Sequence, residues 1–377
     1  MDFSFTEEQD MLRISARDFL AKECPKARVR ETADSERGYD PKIWHGMADL
    51  GWMGLVLPEE YGGMGASFMD LVILMQEMGR NVLPGPFFST IALCALPLLE
   101  YGSNQQKTRF LPQIAKGEAV WAFALAESSG KYRASEVGLR AALRGKDYVL
   151  EGHKLFVTDA RVADHILVVG RIGNGKRPKD GITLFVVDAR GPNMKMEAIP
   201  TIGGDRQFKV SFDGVAVSED NILGKTGEGW NIVDFIFQRA AVLKCAEMSG
   251  ACQAVLDMTS SYAKERIQFD RPIGAFQAIQ HKLADMLIDV EAVQYLLYQA
   301  AWGISVGSPS QWQISAAKAK ANEVYQRICI EAIAAHGAIG YTMDHDVGLY
   351  YRRVKGAQFA AGDTDLHREV IAAGLGL

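Results

Sequence analysis

The feature that most constrains this 377-residue chain is a change of residue pattern that happens twice. Up to about residue 118 the apolar residues recur at helical spacing. TEEQ, Thr6 to Gln9, is a capping box, and Leu12, Ala16 and Leu20 follow it on one face. YDPKIWHGMADLGW, ASFMDLVILMQEMGR, PFFSTIALCALPLLEYG and NQQKTRFLPQIAKG each read as a helix. From about 119 the runs shorten and become β-rich: AVWAFALAES, VGLRAALRGKDYVLEGHKLFVTDA, HILVVGRI, ITLFVVDA and KVSFDGVAV. Gly-Lys-Asp, Gly-Asn-Gly-Lys and Pro-Lys-Asp-Gly turns separate them, and RGKDYVLEG reads as a hairpin. From about 226 long helices return. One stripe holds Ile279, Leu283, Leu287, Val290, Val293, Leu297 and Ala300. Another helix runs from Ser308, read as its N-cap with Pro309 at the first turn, to about Ala335. The expected fold class is α+β. An N-terminal all-α domain (1–118) and a central β-sheet domain (119–225) precede a C-terminal four-helix bundle (226–377).

Composition narrows the function. The net charge of -5 argues against a nucleic-acid binder, which shows a basic face. No run reaches the ~18 apolar residues of a membrane helix; LVILMQEMG is interrupted by Gln76 and Glu77. The acidic N-terminus lacks a secretory signal's basic start. The five cysteines, Cys24, Cys94, Cys245, Cys252 and Cys329, form no CxxC pair and read as reduced thiols of a cytoplasmic protein. The seven histidines show no metal-ligand spacing, so no metal is expected. No GxGxxG follows a strand and no GxxxxGK[ST] is present, which leaves Rossmann and P-loop nucleotide binding unsupported.

Three stretches stand out: GLVLPEEYGGMG (54–65), YAKERIQFDRPIGAFQAIQHKLADM (262–286) and AAHGAIGYTMDHDVGLYYRRV (334–354). Alone, they read as a loop, a bundle corner and a glycine C-cap. In the second, a helix carrying Arg266 breaks at Asp270-Arg271-Pro272 and another starts near Ala275. A fourth stretch, QFAAGDTDLHREV (358–370), starts the last helix through an Asp or Thr cap. Together, in this order, they resemble the acyl-CoA dehydrogenase family over essentially the whole chain. The tail pattern looks closest to bacterial members acting on cyclic or steroid-type acyl-CoAs.

The resemblance implies FAD between the β-domain and the bundle, with a second subunit completing the site. It implies an acyl-CoA substrate and an electron-transfer flavoprotein as acceptor, in a homotetramer or an α2β2 heterotetramer. Phe123, Leu125 and Ala126 then approach the flavin's pyrimidine side. Phe156 packs on the ring and Thr158 donates to flavin N5. Arg266 pairs with the pyrophosphate of a neighbouring subunit's FAD, since its fork matches phosphate oxygens. Phe269 and Gln277 flank the adenosine. Gly337 and Ala338 let the backbone approach the cofactor. Asp363 and Asp365 stand where the family has neutral residues touching FAD; they are expected to cap the helix and contact ribose hydroxyls. Arg239 matches an arginine at the substrate end. Pro86, Phe87, Phe88 and Ser89 match the helix lining the acyl cavity, so PGPFF implies an aromatic and short pocket.

Two departures matter. The family's TEPGxGSD is here AESSGKYRASE. The glutamate that removes the α-proton, while the β-hydrogen leaves as hydride, stands in the family just before the glycine of the C-terminal motif. That position is Ala361. The family's second location for it, before Arg239, is Gln238, which does not titrate. Three accounts stay open. The base lies elsewhere in the pocket, with Glu127, Tyr132, Glu136 and Asp363 as candidates. A partner chain supplies it. Or the reaction needs none, as in desulfinating relatives. A passive partner subunit and a flavin oxidase or monooxygenase are the competing functions. The resemblance implies that the backbone N–H at Ala361, with a ribityl hydroxyl, still polarises a thioester without a base in this chain.

Overall fold

The computed structural model describes residues 5–173 and 175–377. Asn174 of the expected Gly-Asn-Gly-Lys turn lies outside the described residues.

Three helices open the chain: α1 (Glu7–Glu23), α2 (Lys26–Asp34) and α3 (Pro41–Asp49). Thr6 and Gln9 form the expected capping box on α1, and Asp40 caps α3 with Pro41 at its first position. Ser67 and Asp70 form a second capping box that starts α4 (Phe68–Arg80), which is buried along most of its length. The next expected helix departs from α geometry. Phe88–Ala95 is a π-helical segment leading into α5 (Leu96–Tyr101), where Pro97 sits harmlessly in the first turn. The segment is pinned to the start of the sheet. Thr90 Oγ1 accepts from the Trp121 N–H at 3.1 Å, and Cys94 Sγ donates to the Ala122 carbonyl at 3.4 Å. Helix α6 (Asn104–Ala115) closes this region behind a third capping box.

The sheet has eight strands. They are β1 (Trp121–Ala124), β2 (Arg140–Arg144), β3 (Asp147–Thr158), β4 (His165–Ile172), β5 (Ile182–Asp188), β6 (Met194–Ile199), β7 (Gln207–Ser218) and β8 (Ile222–Leu223). Their order is β6-β7-β3-β2-β4-β5-β8, with β1 parallel to β4 at its start. The RGKDYVLEG hairpin is β2–β3, with Arg144 opposite Asp147. Strands β6 and β8 carry little alternation and were not expected. Strand β6 is half-exposed along its length and β8 is only two residues long.

Helix α7 (Trp230–Glu265) is the central post of the C-terminal region. It ends before Arg266, which caps the helix and does not belong to it, because β9 (Ile267–Gln268) and β10 (Arg271–Pro272) pull the chain into a small hairpin. Helices α8 (Gln277–Ser305), α9 (Gln311–His336), α10 (Val347–Phe359) and α11 (Thr364–Gly374) follow. Helix α9 starts at Gln311, later than the expected Ser308. The Ser308 N–H is used to close the end of α8 on the Gly303 carbonyl at 2.9 Å. In the α8 stripe Leu287 is 47% exposed, and its neighbour Met286 takes the inward place. Gly337 ends α9 at φ 70°, as a glycine C-cap does.

The N-terminal helices and the bundle meet through two glycines. A Cβ on Gly79 of α4 would lie 1.8 Å from the Glu247 carbonyl oxygen, and one on Gly250 of α7 would lie 1.8 Å from that of Gln76. Backbone therefore touches backbone where α4 crosses α7. That crossing sets one wall of the cavity described next.

Candidate active site

One cavity of about 820 Å3 opens between the sheet, the α4–α7 crossing and the α10–α11 corner. Its sheet wall is the end of β1 and β3. Glu127, an expected candidate base, does not line it. That carboxylate accepts from Lys154 Nζ at 2.7 Å and from the Gly138 and Leu139 N–H groups at 2.9 Å. Lys154 also donates to the Leu125 carbonyl at 3.0 Å, and Leu155 N–H to that of Ala126 at 2.8 Å. These bonds hold the Leu125–Ala126 edge along the cavity. Phe156 stands beside it at φ 56°, unusual for an aromatic residue, and is 44% exposed where it lines the cavity. Thr158 lines the same wall, and its hydroxyl has no hydrogen-bond partner among the described residues.

The opposite wall is the α10–α11 corner. Ala361 lies there at φ 57°, again strained for a residue with a Cβ. Its N–H donates to no group among the described residues. The corner is braced from behind. Fully buried Lys318 donates to Asn322 Oδ1 at 2.6 Å and to the carbonyls of Ala357, Gln358 and Gly362 at 3.1 to 3.4 Å. Burial pulls the Lys318 ammonium down to about 7. His367 donates from Nε2 to the Ala361 carbonyl at 3.0 Å and accepts the Ser315 hydroxyl on Nδ1 at 3.0 Å. Burial, aided by Lys318, pulls His367 down to about 4 and keeps it neutral. Asp363 caps α11 through the Leu366 N–H at 2.8 Å, and with exposed Asp365 it lines the mouth.

The third wall carries the apolar residues. Phe87 and Phe88 face Ile236, Phe237 and Ala240 of α7, and Tyr132 tilts onto Phe237 with ring centroids 5.2 Å apart. Ser89 donates from its hydroxyl to buried Asp159 at 2.6 Å. Burial raises the Asp159 carboxyl to about 6 against the opposing pull of that bond.

The structure thus brings together Phe87, Phe88, Ser89, Phe123, Leu125, Ala126, Phe156, Thr158, Ala361, Asp363 and Asp365. It does not bring in the rest. Pro86 is not part of the lining. Gln238 and Arg239 lie off the α7 face that carries residues 236, 237 and 240. Arg239 instead covers the Phe235 ring at 3.4 Å, and burial lowers its guanidinium to about 10. Glu136 does not line the cavity either. Arg266, Phe269, Gln277, Gly337 and Ala338 form a separate group at the end of the bundle, where Tyr262 stacks on His336 with centroids 4.4 Å apart. All five are exposed, Phe269 by 86%. Sequence reasoning missed Asp159, Lys244, Glu247 and Arg353, which also line the cavity. Lys244 and Glu247 continue the spacing of 236, 237 and 240, so charges inside an apolar helical stripe were the available signal.

Comparison with known proteins agrees along the whole chain. The models of the acyl-CoA dehydrogenase N-terminal, middle and C-terminal domains match residues 6–118, 122–215 and 227–376. The chain is 33% identical to the 3-(aryl)acrylate reductase of Clostridium sporogenes, over 98% of this chain and 99% of that one. A chain in the structure of the electron transferring flavoprotein of Acidaminococcus fermentans superposes with a TM-score of 0.93 at 31% identity, covering 100% of this chain and 99% of that one. A chain of the ChsE4-ChsE5 complex from Mycobacterium tuberculosis superposes with a TM-score of 0.91 at 27% identity, covering 100% and 99%.

Proposed function

The chain belongs to the acyl-CoA dehydrogenase family, and on that premise we propose that it interconverts an acyl-CoA and its α,β-unsaturated form, with a cyclic, branched or short acyl group. The family is FAD-dependent and its chemistry is oxidoreduction at CH–CH groups. The cavity fits FAD: the unpaired Phe156 ring offers a face for a flat tricyclic group, and the free Thr158 hydroxyl lies beside it. When bound, FAD supplies the two-electron oxidant.

The rest falls to the chain. Phe156, Thr158 and the Leu125–Ala126 edge hold the flavin end. The free N–H of Ala361, aimed by Lys318 and His367, polarises the thioester carbonyl and acidifies the α-carbon. No carboxylate stands at Ala361. Of the six described carboxylates lining the cavity, Asp363 is spent on a helix cap, Glu247 is held between two cations, Asp159 bonds Ser89, Asp205 accepts from Gln207, and Asp365 and Glu369 pair with Arg368 and Arg133. The carrying observation is this pairing of a strained, unpartnered Ala361 N–H with a missing side-chain base.

A second reading, that a partner chain supplies the base within an α2β2 assembly, is favoured by the likeness to a chain of a two-component complex. In either reading the acyl end is aromatic-walled, and an electron-transfer flavoprotein is the electron partner. The exposed Arg266 group at the far end of the bundle then meets the FAD of a neighbouring subunit. Five buried, unpaired cysteines fit a reducing cytoplasm.

The test is anaerobic titration of the purified, yellow protein with a panel of acyl-CoAs, alongside its native mass. Cyclic or arylpropionyl esters should bleach the flavin before long linear ones do. A protein that bleaches best with long linear esters refutes the pocket reading. A related partner chain in the native mass selects the second reading over the first.

A further inference from the structure

The α7 wall of the cavity is apolar as far as Ala240 and then becomes charged. Ile236, Phe237, Ala240, Lys244 and Glu247 all line the cavity at helical spacing. Lys244 sits roughly 6 Å beyond Ala240 along the axis, at about 1.5 Å per residue. Its side chain is only 10% exposed, and its Nζ lies 2.5 Å from Glu247 Oε2. The same Nζ stands 3.9 Å from the centre of the Phe88 ring. Arg353 of α10 donates from Nη2 to the Leu83 carbonyl at 2.6 Å, and its Nε lies 3.6 Å from Glu247. That Nε, though buried, has no hydrogen-bond partner among the described residues.

A hydrocarbon tail laid against this end would leave buried donors unanswered, which is unfavourable. An ammonium has three N–H donors. Glu247 takes one and the Phe88 face attracts another, so one remains for a ligand. Charge then limits what the ligand is. Among the described residues, six cationic side chains line the cavity, Lys244, Arg353 and Arg206 among them, and six carboxylates, Glu247, Asp159 and Asp205 among them. They balance. A substrate carboxylate would add an uncompensated buried anion, and an amine an uncompensated cation. An uncharged oxygen accepts from Lys244 and changes nothing in that balance.

We propose that Lys244 is a specificity residue, and that it selects acyl groups whose far end carries a hydroxyl or ketone oxygen on a ring. This rests on the acyl-CoA reading above and adds the substrate class to it.

The test measures binding as well as turnover. The FAD-loaded protein is titrated calorimetrically with phenylpropionyl-CoA, para-hydroxyphenylpropionyl-CoA and para-carboxyphenylpropionyl-CoA. The hydroxyl ester should bind at least about tenfold more tightly than either of the others. In Lys244→Met that gap should fall below about threefold, with the unsubstituted ester little affected. Equal binding of all three esters, tightest binding of the carboxylate, or a gap that survives in Lys244→Met overturns the proposal. The ranking in the unaltered protein decides the matter if Lys244→Met fails to fold. If no ester binds, the acyl-CoA reading falls too; if all bind alike, only this inference falls.

Discussion

Asp159 is the residue where burial and charge conflict most directly. Its carboxyl, raised from 3.8 to about 6 mainly by burial, is 5% exposed and held by Ser89. A raised carboxyl favours its protonated form in the folded chain. Its contribution to stability is therefore fully present below pH 3.8 and lost as pH rises through about 6. Asp159→Asn keeps an acceptor for Ser89 and removes the ionisation. The variant should be more stable than the parent at pH 8, by on the order of 1–3 kcal/mol, and nearly equal to it at pH 4. Thermal melts at the two pH values check this; a variant less stable at pH 8 would show that the carboxylate earns its place through a partner. Sequence reading passed over Asp159 because it looked like the end of a strand. Its importance comes from Ser89, seventy positions away, which no local pattern reveals.

At the scale of elements, the crossing of α4 on α7 shapes the cavity more than any single lining side chain. It depends on Gly79 and Gly250, each with backbone where a Cβ would be. Gly250→Ala should destabilise the protein by more than about 2 kcal/mol, because a carbonyl cannot step aside as a flexible side chain does. Chemical denaturation measures it, and a change under about 0.5 kcal/mol would mean that the helices separate without penalty. The helices themselves were largely legible. The capping box at Thr6 and the apolar run of α4 are local signals, and local signals survive in one sequence. Strands β6 and β8 were not legible, because one is half-exposed and the other lasts two residues. The register of α7 was legible only in part. That long helices begin here was visible, but which residues of α7 face the cavity is decided by packing against α4. Gln238 and Arg239 therefore fell outside, and Ala240 and Lys244 fell inside.

At the scale of the whole molecule, most of the expected site residues fall into two groups that one chain keeps apart. The first surrounds the cavity and ends at Ala361. The second, around Arg266 and Gly337, is exposed at the far end of the bundle. That division was implied by family resemblance and by nothing in composition or spacing, since a surface meant for a neighbour looks like any other surface in a single sequence. The central claim, proposed above, concerns the first group: that it forms a flavin and thioester site from which the side-chain base is missing. Ala361→Glu puts a carboxylate at that position, on a backbone already in the left-handed region and beside open cavity. The decisive measurement is the anaerobic rate of flavin bleaching by an acyl-CoA, compared between the unaltered protein and Ala361→Glu. The account predicts acceleration of about 10²-fold or more, the size of a positioned general base. A variant that still binds flavin and acyl-CoA but bleaches no faster than its parent would contradict it.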